Sequence, residues 1–247
     1  MFGKRKVATL VAEFLGTGVL TLLVLSVQRS TIGVPFFIAM GAGLALASTV
    51  YALRETSGAH FNPAITIALW TARKVSAVTG ALYIIMQLLG AWGAYYLYTY
   101  FTNNKFAPIG GHFTAHIMIA EAVGTAVFAF GVASTVYQRY STATTAAFTG
   151  VAYMLGVITA SSAALGLLNP AVALGARAWV WGSYVAGPVI GALIGVNLYG
   201  LLFAEGEVGS VAAAAPKAVT VKAPAKKAAA KKPAAKRAAP KRKAARR

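Results

Sequence analysis

The chain contains no cysteine and no aspartate. Without thiols it can form neither a disulfide nor a thiolate metal site, and cysteine usage says nothing about redox compartment. Its acids are Glu13, Glu55, Glu121, Glu205 and Glu207 and no others. So few carboxylates argue against carboxylate-rich catalytic or metal sites. No nucleophile–base pair or metal cluster is discernible, so no enzyme, cofactor or metal is expected. Charge is scarce as well: charged residues make up 11% of the chain and hydrophobic ones 58%. A soluble domain needs far more charge to cover its surface. Several apolar runs reach the roughly 20 residues that cross a bilayer. The fold class expected is an all-α, polytopic membrane protein.

The net charge of +18 is unevenly placed, because 13 of the 23 Lys and Arg lie between Lys217 and Arg247. That stretch of Ala, Lys, Pro and Arg has no aromatic residue and cannot bury enough apolar surface to fold alone. Residues 205–247 are therefore read as a disordered tail. Lys226-Lys227, Lys231-Lys232, Lys236-Arg237 and Lys241-Arg242-Lys243 are spaced by Ala and Pro, a pattern similar to the tails of linker-histone-like proteins. Such a tail suits anionic lipid at a membrane surface. Sequence-independent, salt-sensitive nucleic-acid binding is the alternative.

Six spans are expected, at about 7–27, 35–53, 77–101, 116–136, 143–163 and 182–204. Shorter apolar stretches at about 63–72 and 170–179 are too short to span and read as re-entrant half-helices. The first apolar run is long, contains Glu13 and lacks a clear cleavage site, so it reads as a retained helix and not a signal peptide. With the N-terminus (1–6) inside, Lys4, Arg5, Lys6, Arg54, Arg73, Lys74 and Arg139 fall on the cytoplasmic side. Arg29, Lys105 and Arg177 fall outside, which satisfies the positive-inside rule. Six spans then place the C-terminus in the cytoplasm too. Compactness and the absence of a targeting signal point to a prokaryotic plasma membrane.

The two halves repeat. Val11-Ala12-Glu13-Phe14-Leu15-Gly16-Thr17 matches Ile119-Ala120-Glu121-Ala122-Val123-Gly124-Thr125 at an offset of 108. Asn62-Pro63-Ala64 matches Asn169-Pro170-Ala171 at an offset of 107. Each half, about 7–101 and 116–204, holds three spans. Three is odd, so the second half enters from the opposite side, and inverted repeats place their working site near the midplane. Proline suits the first turn of a helix, where its missing N–H costs nothing. Asn62 and Asn169 then sit at N-cap positions. Their amide NH2 groups are free to donate into a lumen. Both half-helices point positive dipole ends at the same spot, which opposes cations and hopping protons but not neutral solutes.

The run Ser57-Gly58-Ala59-His60-Phe61-Asn62-Pro63-Ala64, the paired Glu-x-x-Gly-Thr, Gln87 and Gly187-Pro188 resemble the aquaporin (major intrinsic protein) family over roughly residues 7–204. The resemblance implies six tilted helices, two half-helices and a homotetramer with one pore per protomer. It also implies passive passage of water or small neutral solutes such as glycerol. Glu13 and Glu121, with His60 and Gln87, would brace the re-entrant loops. The competing reading of the two glutamates is a proton relay, but no chain of further acids crosses the core. His112 and His116 bracket an external loop and are too scattered to hold a metal. The family narrows at a four-position outer filter, which spacing from the two turns puts at Ala42, Val157, Gly166 and Val172. Val172 stands where the water-selective members carry arginine. All four are small or apolar, so a wide, weakly polar constriction is expected. Arg177 lies two helical turns along the second half-helix, where an interfacial place outside the lumen is expected. The alternative function is a membrane-anchored tether with a vestigial pore, in which the basic tail does the work.

Overall fold

The computed structural model describes residues 4–28, 34–105, 107–109 and 111–204. These belong to one unit, Met1–Glu205. The expected disordered tail, 205–247, lies outside the described residues. The chain begins with α1 (Lys4–Gln28) and α2 (Pro35–Ser57), then a short α3 (Pro63–Thr71) and α4 (Ala77–Thr102). The second half repeats the order with α5 (Ala115–Tyr137), α6 (Thr142–Ala160), the short α7 (Pro170–Gly175) and α8 (Gly187–Leu202). A π-helical turn at Gly182–Ala186 leads into α8, and the two together make the sixth segment long and apolar enough to cross a membrane.

That π turn has a local cause. Pro188 has no N–H to give the carbonyl of Tyr184, and its ring crowds that carbonyl. The ladder widens by one residue ahead of it, and the Gly187 N–H reaches the Gly182 carbonyl. Gly187-Pro188 therefore opens α8 directly after a wide turn. Two boundaries differ from expectation. α2 runs one turn further, to Ser57, where Gly58 caps it at φ 90. α7 stops at Gly175 because Arg177 turns left-handed at φ 58, and the extended chain beyond it pairs with Ile109. Arg177 is thus past the half-helix and not two turns along it.

Packing follows the repeat. α1 lies against α2 and α4, α5 lies against α6 and α8, and α2 meets α6 between the halves. At that meeting Gly43 and Gly150, themselves 107 apart, face each other. A Cβ on Gly43 would lie 2.7 Å from the Gly150 carbonyl oxygen, and one on Gly150 2.6 Å from that of Gly43. Only glycine lets the two backbones come so close, a means of helix association favoured in membranes, where oil excludes oil no better than lipid does. Leu15, Leu44, Leu89, Ile119, Val151 and Ile194 stay exposed on the outer faces of the spans, as surfaces that meet lipid or another apolar partner must.

Candidate functional site

The N-termini of the two half-helices meet, since each capping asparagine reaches the loop that precedes the other half-helix. Phe61 (φ 48) and Leu168 (φ 52) precede the two asparagines, both in the left-handed region that L-residues avoid. This strained pair, at the repeat offset of 107, turns each carbonyl across to the opposite loop. Asn62 Nδ2 donates to the Leu168 carbonyl at 2.9 Å, and Asn169 Nδ2 donates to the Phe61 carbonyl at 2.9 Å. Each side-chain oxygen caps its own helix, accepting from Ala64 N at 2.8 Å and from Ala171 N at 3.0 Å. One of the two hydrogens on each amide is therefore spent on tying the halves together. One remains, where the sequence suggested the whole NH2 was free.

The glutamates hold the loops from behind. Glu13 is fully buried. Its Oε1 accepts from Ser57 Oγ at 2.6 Å and His60 N at 3.1 Å, and its Oε2 from Phe61 N and Gln87 Nε2, both at 2.8 Å. Glu121 accepts from Leu167 N at 3.0 Å and Leu168 N at 2.8 Å. Both carboxylates thus serve backbone N–H groups that a re-entrant loop leaves without helical partners. Gln87 also donates to Thr66 Oγ1 at 3.0 Å. The His60 ring meets Thr66 Oγ1 at 3.2 Å and packs edge-on to Tyr83, whose hydroxyl donates to the Ser57 carbonyl at 2.7 Å. Tyr83 is thus a further member of this brace.

A cavity of about 500 Å³ runs inward from the end of the molecule that carries Arg54, Lys74 and Arg139. Its walls are one stripe from each of several helices. α2 supplies Val50 and Leu46, α3 Leu69 and Ile65, α5 Val132 and Phe128, and α6 Thr145 and Thr149. His60 reaches this wall as well, so it both braces the loop and faces the cavity. Spacing of four on a helix keeps residues on one face. The α2 stripe therefore continues to Ala42, and the α6 stripe continues to Tyr153 and Val157.

Of the four expected filter positions, Val157, Gly166 and Val172 come together at the second loop, and all four are buried. Ala42 and Val157 are each 1% exposed and Val172 is 0% exposed. A passage admitting water would leave more surface on its lining, so the wide opening expected from their small size is absent here. Gly166 has a backbone reason to be glycine. Its φ is 67, and a Cβ there would lie 2.9 Å from both the Val157 carbonyl and Ser161 Oγ. Arg177 packs over the rings of Tyr95 (5.5 Å) and Trp179 (5.9 Å), and its Nη1 approaches Tyr95 Oη at 3.4 Å. It is half-buried against aromatics, an anchored cation beyond the half-helix.

Comparison with known proteins agrees with this architecture. The sequence model of the family described as Major intrinsic protein matches residues 4–199. The chain is 30% identical to Aquaporin AqpM of Methanothermobacter thermautotrophicus, covering 81% of this chain and 95% of that one. It is 30% identical to Aquaporin Z of Photorhabdus laumondii, covering 79% and 97%. It is also 30% identical to Glycerol uptake facilitator protein-like 6 of Lactiplantibacillus plantarum, covering 74% and 92%. Its fold resembles the X-ray structure of the aquaglyceroporin from Plasmodium falciparum, with a TM-score of 0.67 and 20% identity over 80% of this chain and 96% of that one.

Proposed function

Because this chain belongs to the Major intrinsic protein family, we propose that it is a passive channel for water and small uncharged solutes. The observation that carries this reading is the reciprocal Asn62–Leu168 and Asn169–Phe61 pairing at the junction of the half-helices. It aims two helix N-termini and two amide donors at one buried point. A cation there would lose its hydration and meet two positive dipole ends. A neutral molecule with a lone pair meets one donor from each asparagine. Two donors on one water oxygen orient that water and interrupt a hydrogen-bonded proton wire.

On this reading the channel domain is 7–204, with Ala42, Val157, Gly166 and Val172 as its outer set, and 205–247 is an appendage that conduction does not need. Val172 brings neither the charge nor the five donors of an arginine, so the outer set does not single out water by charge or hydrogen bonding, and glycerol stands beside water as a candidate solute. The relatives named for aquaporin and glycerol-facilitator activity are in keeping with that choice. Assembly as a homotetramer, with both termini cytoplasmic, completes the proposal. The test is stopped-flow light scattering of proteoliposomes holding the full chain or the chain without residues 208–247. Both should pass water and glycerol faster than protein-free vesicles. Rates no faster than protein-free vesicles for either form would end the channel reading and favour a tether acting through the tail.

A further inference from the structure

The inner cavity ends before it reaches the outer set, and the residue standing where it ends is Tyr153. Thr145 and Thr149 line the cavity from α6. The next residue along that stripe is Tyr153, and Val157 follows one turn further on. Phe128 forms part of the cavity wall, and the Tyr153 ring packs edge-on against it at 4.9 Å. Tyr153 is only 1% exposed, and the two capping asparagines are 2% (Asn62) and 0% (Asn169) exposed. Its hydroxyl donates at 2.9 Å to the Leu167 carbonyl, in the same loop whose N–H groups Glu121 holds. The tyrosine is therefore fixed at both ends of its side chain, by its helix and by a braced loop.

We propose that Tyr153, backed by Phe128, is the residue that sets the size limit of the conduit, in place of the small outer residues Ala42, Val157, Gly166 and Val172. The proposal rests on the channel reading above. With the hydroxyl bonded to Leu167, the ring lies across the continuation of the cavity and no water-sized path passes it. Passage requires the ring to swing aside and its buried hydrogen bond to break. The Leu167 carbonyl must then take another donor, which the passing solute can supply. Tyr153→Val removes the ring and frees space for about two waters at ~30 Å³ each. Tyr153→Phe keeps the ring and removes only the tether to the loop.

The experiment uses the full chain in proteoliposomes, with Tyr153→Val, Tyr153→Phe and Phe128→Leu beside the parent. Water and glycerol permeabilities are measured per tetramer quantified by size exclusion. Tyr153→Val should raise water flux about tenfold and glycerol flux by more, so that the glycerol-to-water ratio climbs. Tyr153→Phe should raise water flux roughly threefold to tenfold, the rate equivalent of one net hydrogen bond. A purely structural residue would lower both fluxes together and leave their ratio alone. If Tyr153→Val does not assemble, the Tyr153→Phe and Phe128→Leu ratios decide. The proposal is overturned if the parent conducts above protein-free vesicles while the Tyr153 variants match it in rate and ratio. It is also overturned if Val172→Ala gains more than Tyr153→Val. If neither parent nor variants exceed protein-free vesicles, the channel reading fails and takes this proposal with it.

Discussion

Replacing Glu13 tests the brace most directly, because its carboxylate answers four donors. Two are backbone N–H groups, His60 at 3.1 Å and Phe61 at 2.8 Å, and two are side chains, Ser57 and Gln87. Glu13→Ala leaves both N–H groups without this partner, that of Phe61 buried and that of His60 part-buried. At about 1–3 kcal/mol each, the loss is about 2–6 kcal/mol before any cavity is counted. Glu13→Gln keeps the volume but turns one acceptor into a donor. Placed at the Oε2 position, its NH2 would face Phe61 N–H and the Gln87 amide. Placed at the Oε1 position, it faces only His60 N–H, since the Ser57 hydroxyl can rotate to accept. The second orientation wins, so Glu13→Gln should cost about 1–3 kcal/mol, one stranded N–H. The expected order is therefore Ala worse than Gln, and both worse than the parent. Denaturant unfolding in mixed micelles, followed by tryptophan fluorescence, gives the order. Two results would refute the brace. One is both variants lying within about 0.5 kcal/mol of the parent. The other is unchanged stability accompanied by loss of a pH-dependent flux, which would restore the proton relay.

Val172→Arg introduces a charge and five donors beside the second half-helix, and it should cut glycerol flux more than water flux in the vesicle assay. Equal loss of both would mean that the outer set is assigned wrongly. Asn169→Ala removes the cap on Ala171 N and the donor to the Phe61 carbonyl. It should destabilise the protein by about 1–3 kcal/mol and let protons through, read with a pH dye trapped in vesicles. A proton-tight variant would show that the dipole ends suffice alone. Gly150→Leu drives its Cβ onto a backbone carbonyl that cannot rotate away. It should part α2 from α6 at a cost of about 1–3 kcal/mol or more, seen as a lower thermal midpoint. A midpoint unchanged from the parent would mean that the crossing can slide.

How far the sequence could be read depends on whether a feature is local or needs the assembled molecule. The offsets of 107 and 108 could be read directly because the inverted repeat copies whole segments, and the pairings Gly43–Gly150 and Phe61–Leu168 obey the same offset in space. The glutamate braces were legible too, since a carboxylate in an apolar helix demands donors and the re-entrant loops supply them. The length of α7 was not. Its last residue, Gly175, is not left-handed, and the stop is a left-handed Arg177 whose carbonyl accepts from Ile109 N at 2.8 Å, about seventy residues earlier in the chain.

The narrowing at Tyr153 could not be read for a related reason. Counting from the two asparagines selects positions by their distance from a turn, and it found only small side chains. A conduit, though, is limited by its narrowest point anywhere along its length. Stepping back four residues from Val157 along α6 would have found the tyrosine in the sequence. Nothing in the sequence says that the cavity stops there, because that depends on Phe128 from α5 and Leu167 from the second loop arriving at the same place. Small residues at the outer set and a large one at the end of the inner cavity fit together in one argument. Where the outer positions supply neither bulk nor donors, size can be enforced only deeper in the molecule. The braced loop held by Glu121 offers Tyr153 a fixed carbonyl on which to rest.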